Sequence, residues 1–149
     1  MNLLTGEFNN TLDDKGRVSI PAKLREKLPG NILHVTKGTN RCVWVFTPEE
    51  WERSYARWMQ NQTYTAKRRN DILHRFIGPK QDAEIDKAGR IMIPQSLRDF
   101  AMLSKDCLVV GIGATIEIWD LEQYRMYQDS IDGDFEEILE ETSSVDFYG

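Results

Sequence analysis

The feature that most constrains the fold is an internal repeat. Residues 13–26 recur as residues 86–99, an offset of 73 residues. The same register continues without a gap as far as Trp51, which aligns with Tyr124. A constant offset over this length indicates a tandem duplication, because a chance match would give one short motif. Two copies of one unit must therefore account for most of the chain.

Each copy predicts the element order ββαββα. A short strand, at residues 11–13 or 84–86, enters a glycine turn, and a second strand of alternating apolar residues follows. A proline then begins a short helix, and two apolar strands come next. A terminal helix closes each copy behind a capping box, at residues 47–50 or 120–123. Residues 67–77 predict a further helix between the copies.

These elements divide the chain into four segments. Residues 5–60 are predicted as the first repeat, residues 61–77 as a linking helix, residues 78–130 as the second repeat and residues 131–149 as an acidic C-terminal tail. A repeat of about 50 residues buries too little surface to be stable alone, so the two copies should share one core. The predicted class is α+β.

Composition excludes several kinds of protein. Hydrophobic residues make up 40% of the chain and charged residues 29%, as is usual for globular proteins. Because no apolar run is long enough to cross a bilayer and the N-terminus lacks a signal-peptide pattern, we expect a cytoplasmic protein. Cys42 and Cys107 form neither a disulfide framework nor a zinc pattern, and are expected to be buried, reduced thiols.

The negative charge is concentrated at one end of the chain. The net charge is −5, but residues 129–149 contain eight acidic residues and no Lys or Arg. Residues 1–128 hold 19 basic and 16 acidic residues and are therefore basic by three charges. This asymmetry permits a nucleic-acid partner, although most charge runs are only solvated surface. The acidic segment either docks as a helix, by a face that includes Phe135 and Ile138, or stays disordered.

No pattern in the sequence predicts catalysis. His34 and His74 lie outside the repeated motif, and neither accompanies a nucleophile. No Cys, His and acid cluster has the spacing of metal ligands, and no glycine-rich loop opens a helix as a phosphate cradle does. We therefore expect no catalytic residue, metal, cofactor or small-molecule substrate. Distinctive residues that occur twice are more typical of a symmetric binding surface.

The candidate binding residues lie in the two glycine turns. In each copy an aspartate precedes an arginine by four residues across a glycine: Asp13, Gly16 and Arg17, then Asp86, Gly89 and Arg90. One interpretation is an ordinary Asx turn beside a surface arginine. The other is that the carboxylate holds the arginine as a rigid fork, which matches phosphate or the O6/N7 edge of guanine.

Other basic residues repeat only in part. Lys15 adds a positive charge beside Arg17, whereas the second copy has Ala88 at that position and Lys87 next to it. Arg25 and Arg98 repeat in the short helices. They are interpreted as structural, since an arginine in a short helix often buries its stem and pairs within its own fold.

The doubled element Asp-x-x-Gly-Arg-φ-x-φ-Pro-x-x-Leu-Arg, with φ apolar, resembles the MraZ family of bacterial regulators. These are tandem members of the swapped-hairpin AbrB superfamily, and the resemblance covers nearly all of residues 5–130. It implies that the two repeats pair as a pseudo-dimer around a barrel-like core, with linking and terminal helices.

The resemblance also implies a function. It predicts a transcriptional regulator that binds double-stranded DNA at short direct repeats, upstream of the division and cell-wall gene cluster that includes its own gene. It implies ring-shaped homo-oligomers and a nucleoid location, and it assigns DNA contact to Lys15, Arg17 and Arg90, with Lys87 adjacent. Trp44, which aligns with Glu117, is a candidate for contact between subunits. The alternative is an antitoxin-like or other protein-interaction module of the same fold.

Overall fold

The computed structural model describes residues 3–142, and both repeats have the predicted order ββαββα. The first repeat consists of β1 (Leu4–Thr11), β2 (Arg17–Ser19), α1 (Ala22–Arg25), β3 (Ile32–Lys37), β4 (Val43–Phe46) and α2 (Pro48–Gln60). The link consists of α3 (Ala66–Ile72) and a π-helical turn (Leu73–Ile77). The second repeat consists of β5 (Gln81–Glu84), β6 (Arg90–Met92), α4 (Gln95–Phe100), β7 (Asp106–Gly113), β8 (Ile116–Asp120) and α5 (Leu121–Glu141).

Each repeat completes its sheet with a strand of the other. Six antiparallel strands lie in the order β1-β7-β8-β4-β3-β5, so the first strand of each repeat pairs with the third strand of its counterpart. The second strands, β2 and β6, form a separate antiparallel ribbon. The α+β class and the tandem swapped-hairpin arrangement are thereby confirmed.

The predicted barrel, however, is not closed. Among the described residues, β1 and β5 are the two edges of the six-stranded sheet. The chain leaves each edge strand through a glycine turn, and β2 and β6 then pair with each other rather than with the sheet. The first strands also lie earlier than predicted, ending at Thr11 and Glu84, because the N–H groups of Asp13 and Asp86 donate to Arg17 and Arg90 across the turns rather than to the sheet.

Two register pairs mark a pseudo-twofold axis between the repeats. Val18 lies opposite Ile91 in the ribbon, and Trp44 lies opposite Glu117 in the sheet. The members of each pair are 73 residues apart, so each residue faces its own counterpart. The core is built symmetrically about this axis from side chains at most 1% exposed, which include Val18, Ile20, Leu24, Ile91, Ile93 and Leu97.

Trp44, the candidate for contact between subunits, packs against other aromatic residues of its own protomer and is partly exposed. Its ring stacks on Phe76, with centroids 5.2 Å apart, and lies near Trp58 in a cluster beneath α2. Its indole N–H donates to Oε2 of Glu117 at 2.7 Å, while that of Trp119 donates to Oε1 at 2.8 Å. Glu117 is only 7% exposed, so these two donors satisfy a buried carboxylate.

Part of the acidic segment is helical. Helix α5 continues to Glu141, and none of its residues is buried. Phe135 and Ile138 are 41% and 40% exposed, so the apolar face of this segment is not covered by its own protomer. Residues 143–149 of the predicted tail lie outside the described residues. Within residues 3–142, no helix has both the length and the apolar character needed to cross a membrane.

Replacing Glu117 tests how much its hydrogen bonds to Trp44 and Trp119 contribute to stability. Glu117→Ala should lower the free energy of unfolding by about 1–3 kcal/mol for each indole N–H left without an acceptor. Glu117→Gln keeps one acceptor oxygen and should cost less. Urea unfolding of the original protein and of both variants measures these losses. If Glu117→Ala were as stable as the original protein, the indole hydrogen bonds would contribute nothing.

Candidate nucleic-acid interface

The first glycine turn is organised by the carboxylate of Asp13. Its Oδ1 accepts backbone N–H bonds from Lys15 at 2.9 Å and Arg17 at 2.8 Å. Its Oδ2 accepts the Nε–H of Arg17 at 2.7 Å. The Asx turn and the ion pair, treated as alternatives in the sequence, are therefore present together. One oxygen fixes the backbone and the other fixes the side chain.

The second turn repeats this geometry. Oδ1 of Asp86 accepts backbone N–H bonds from Ala88 and Arg90, both at 2.9 Å, and Oδ2 accepts Nε of Arg90 at 3.2 Å. Nη1 of Arg90 also lies 3.8 Å from Oδ2 of Asp13 in the other repeat. Asp13 thus contacts both arginines, and the two turns form one continuous site.

Both carboxylates are held in the ionised form. The backbone N–H of Arg17 is the largest cause that lowers the pKa of Asp13, and that of Arg90 does the same for the pKa of Asp86. A carboxyl whose pKa is lowered by folding stabilises the fold above its ordinary pKa, and loses this contribution as the pH falls through the lowered value. These contributions of Asp13 and Asp86 are therefore fully present at neutral pH.

The arginines share the outer face of the β2–β6 ribbon. Val18 and Ile91 are buried, so the alternating residues on the two strands point away from the core. This outer face consists of Arg17, Ser19, Arg90 and Met92. Arg17 lies opposite Met92 and Arg90 lies opposite Ser19, which makes the two arginines diagonal neighbours. Diagonal positions in an antiparallel pair are about 7–8 Å apart.

Lys15 and Lys87 lie at opposite ends of this face. Both are exposed, and neither forms an ion pair in the part of the chain that the structure describes. They are not equivalent, because Lys87 aligns with Asp14 and Lys15 aligns with Ala88. The ribbon therefore has the same arginine at both ends and a different electrostatic surface around each.

Gly16 and Gly89 allow each repeat to cover the turn of the other. Both are buried, with φ of +82° and +80°. A Cβ on Gly89 would lie 2.7 Å from Cζ of Arg25, and one on Gly16 would overlap the guanidinium of Arg98. The guanidinium groups of Arg25 and Arg98 thus pack against the turn of the opposite repeat, while they donate to Ile20 and Gln95 of their own repeats. Sequence spacing alone does not reveal this cross-repeat contact.

Backbone hydrogen bonds complete the connection. The carbonyl of Gly16 accepts the N–H of Ile93 at 2.8 Å, and the carbonyl of Gly89 accepts that of Ile20 at 2.8 Å. Each turn is thus bonded to the end of the ribbon strand that belongs to the other repeat. The spacing between the two turns is fixed by main-chain geometry.

These features define a class: a duplicated swapped-hairpin protein that presents two carboxylate-held arginines beside a pseudo-twofold axis. A family model described as "MraZ protein, putative antitoxin-like" matches the chain twice, over residues 3–73 and 76–146. The chain belongs to the MraZ family, as its sequence resemblance indicated.

Curated relatives agree with this assignment. The chain is 42% identical to the transcriptional regulator MraZ of Treponema denticola, over 97% of this chain and all of that protein. It is 38% identical to the protein of the same name from Treponema pallidum (strain Nichols), over 90% of each chain. It is 39% identical to that of Thermoanaerobacter sp. (strain X514), over 93% of this chain and 95% of the other. The family is one of transcriptional regulators, not of enzymes.

The close contact at Gly16 can be measured separately from the cost of its left-handed backbone. Gly30 has a φ of +73° but no atom near the place of a Cβ, so Gly30→Ala should cost only the left-handed conformation, about 1–2 kcal/mol. Gly16→Ala also displaces the guanidinium of Arg98, whose Nη2 donates to Oε1 of Gln95, and should therefore destabilise the protein more. Thermal or urea unfolding of both variants checks this. Equal losses would mean that Arg98 moves aside without cost.

Proposed function

We propose that this protein is a transcriptional regulator that binds double-stranded DNA in a sequence-specific manner, and that the β2–β6 ribbon enters the major groove. The observation that carries the proposal is the outer face of the ribbon, where carboxylates orient Arg17 and Arg90. The major groove of B-DNA admits a two-stranded β-ribbon, and it is the groove in which all four base pairs are distinguishable.

The arginines have the chemistry for base recognition. Asp13 takes only Nε of Arg17, and within residues 3–142 the two terminal nitrogens of Arg17 have no protein acceptor. A guanidinium with two free donors matches O6 and N7 of guanine, the commonest specific contact in protein–DNA complexes. The diagonal spacing of about 7–8 Å corresponds to roughly two base-pair steps. Lys15 and Lys87 would then contact phosphates at either side.

Assembly explains how an acidic protein binds DNA. A single protomer offers few basic groups, and its affinity for phosphate is correspondingly weak. We propose that protomers form a ring-shaped homo-oligomer whose ribbons engage successive direct repeats, which raises avidity without a change in any one contact. The sites proposed are the short direct repeats upstream of the division and cell-wall gene cluster, including the protein's own gene. Binding there would place the protein on the nucleoid.

One observation favours a second candidate function. The acidic end of α5 leaves Phe135 and Ile138 exposed, a surface suited to a protein partner. An antitoxin-like or other interaction module would use this surface and would not need the ribbon. A gel shift with DNA from upstream of the gene, repeated at several salt concentrations, distinguishes the two functions.

Substitution of the ribbon arginines tests the interface. Arg17→Ala should nearly abolish specific binding, because a lost bidentate guanine contact costs about 1–3 kcal/mol and is lost once per protomer. Arg90→Ala should have a similar but smaller effect, since its copy has Ala88 in place of Lys15. Arg125→Ala, at an exposed position of α5, is the matched control and should bind normally. Unchanged binding by a folded Arg17→Ala variant would contradict the proposal.

The assembly is tested separately. Multi-angle light scattering at micromolar concentration should give a mass several times the 17.3 kDa of one chain. The mass should be the same for the Arg17→Ala variant, because the ribbon is not assigned to subunit contacts. A monomer of normal secondary structure would exclude the ring and, with it, the avidity argument.

A further inference from the structure

The ribbon contains one large apolar side chain among its outward residues. Met92 is 52% exposed and lies opposite Arg17 in the register of β2 and β6. It shares the outer face with Arg17, Arg90 and Ser19, all of which are polar. The neighbouring residues Ile91 and Ile93 are at most 1% exposed, so Met92 does not contribute to the core on the other side.

Met92 is also where the two repeats differ on this face. Its counterpart at the offset of 73 is Ser19, which lies opposite Arg90. The two arginines are identical and the axial residues beneath them, Val18 and Ile91, are both apolar. A protein with exact twofold symmetry reads a palindromic site, because operator symmetry mirrors protein symmetry. On the outer face of this ribbon the two arginines are identical, but the residues opposite them, Met92 and Ser19, differ.

The chemistry of methionine limits what it can recognise. Its thioether donates no hydrogen bond, and its unbranched side chain adapts to an irregular apolar surface. Among the groups that the major groove displays, the C5-methyl of thymine is the one that favours an apolar contact. A serine hydroxyl, in contrast, donates or accepts and contacts either kind of base edge.

We infer that Met92 recognises a thymine methyl group beside the base contacted by Arg17. This inference rests on the proposed function, and it deepens that function by naming a feature of the site. Directly opposed residues in an antiparallel pair have Cβ atoms about 4.5–5.5 Å apart, or about one and a half base-pair steps of about 3.4 Å, so the flexible Met92 side chain reaches a base pair next to the one that Arg17 contacts. The thymine therefore lies on the Arg17 side of the site, and each protomer reads a site that has a direction.

The test compares thymine with deoxyuracil, which lacks the methyl group and pairs identically. Duplexes preferred by the full-length protein are first selected from a random pool, and each thymine is then replaced in turn. One replacement should weaken binding about fourfold for each bound protomer, the effect of one buried methyl group. Met92→Ser should bind the thymine and uracil duplexes equally and keep its preference for guanine.

Ser19→Ala is the matched control, since it alters the equivalent position on the other strand. Because Ser19 shares the outer face, this variant is judged by the ratio of its affinities for the thymine and uracil duplexes, which should equal that of the original protein whatever its overall affinity. Both substitutions are on the outer face, so circular dichroism and thermal unfolding should be close to those of the original protein. The same difference in Met92→Ser as in the original protein would show that another residue contacts the methyl group and would overturn the inference.

The remaining outcomes separate this inference from the function on which it rests. If every uracil duplex binds as well as its thymine parent, while Arg17→Ala abolishes binding, the role of Met92 is wrong and the DNA-binding ribbon stands. If the selection enriches no sequence over random DNA, sequence-specific binding itself fails, and the role of Met92 fails with it.

Discussion

The reciprocal hydrogen bonding between the two repeats is the constraint on which the rest of the molecule depends. Gly16 accepts the N–H of Ile93, and Gly89 accepts that of Ile20, so each turn is held by the other repeat. The edge strands are exchanged in the same way, since β1 pairs with β7 and β5 with β3. Each repeat therefore depends on the other to complete its sheet and to cover its core, although the Asx hydrogen bonds of each turn lie within one repeat. The proposed binding face is a property of the pair.

This arrangement places a rigid polar surface directly over an apolar axis. Val18 and Ile91 are buried at the centre of the ribbon, while the arginines project from the opposite face of the same short strands. Strand register sets the separation of the arginines, and Asp13 and Asp86 set their orientation. Because strand register and two carboxylates fix the arginines, these side chains have less conformational entropy to lose when a partner binds.

The sequence predicted those parts of the structure that depend on local patterns. The element order, the glycine turns and the two aspartate–arginine pairs follow from spacing within about five residues, a range in which turn chemistry decides the conformation. The strand exchange came from the family resemblance, because periodicity does not specify which strand pairs with which. The open edges of the sheet, the π-helical turn at Leu73–Ile77 and the packing of Arg98 against Gly16 depend on tertiary structure. For Trp44, the missing apolar counterpart marks the axis, where this residue lies opposite Glu117. Its contact between subunits stays a prediction.

Fusion of the two repeats in one chain explains two differences between them. Trp44 corresponds to Glu117 at the axis, and Ser19 corresponds to Met92 on the outer face. In a homodimer, a residue on the axis faces itself: two glutamates at position 117 would bury like charges side by side, and two tryptophans at position 44 would leave indole donors without an acceptor. The observed Trp44–Glu117 pair avoids both problems and is available only to a duplicated chain. The same freedom applies on the outer face, where Ser19 and Met92 differ beside identical arginines. The turn aspartates and glycines and the outward arginines are the same in both repeats, whereas Trp44 and Glu117 differ at the axis and Ser19 and Met92 differ on the outer face. A direction in the proposed DNA site therefore has the same origin as the heterogeneous pair in the core.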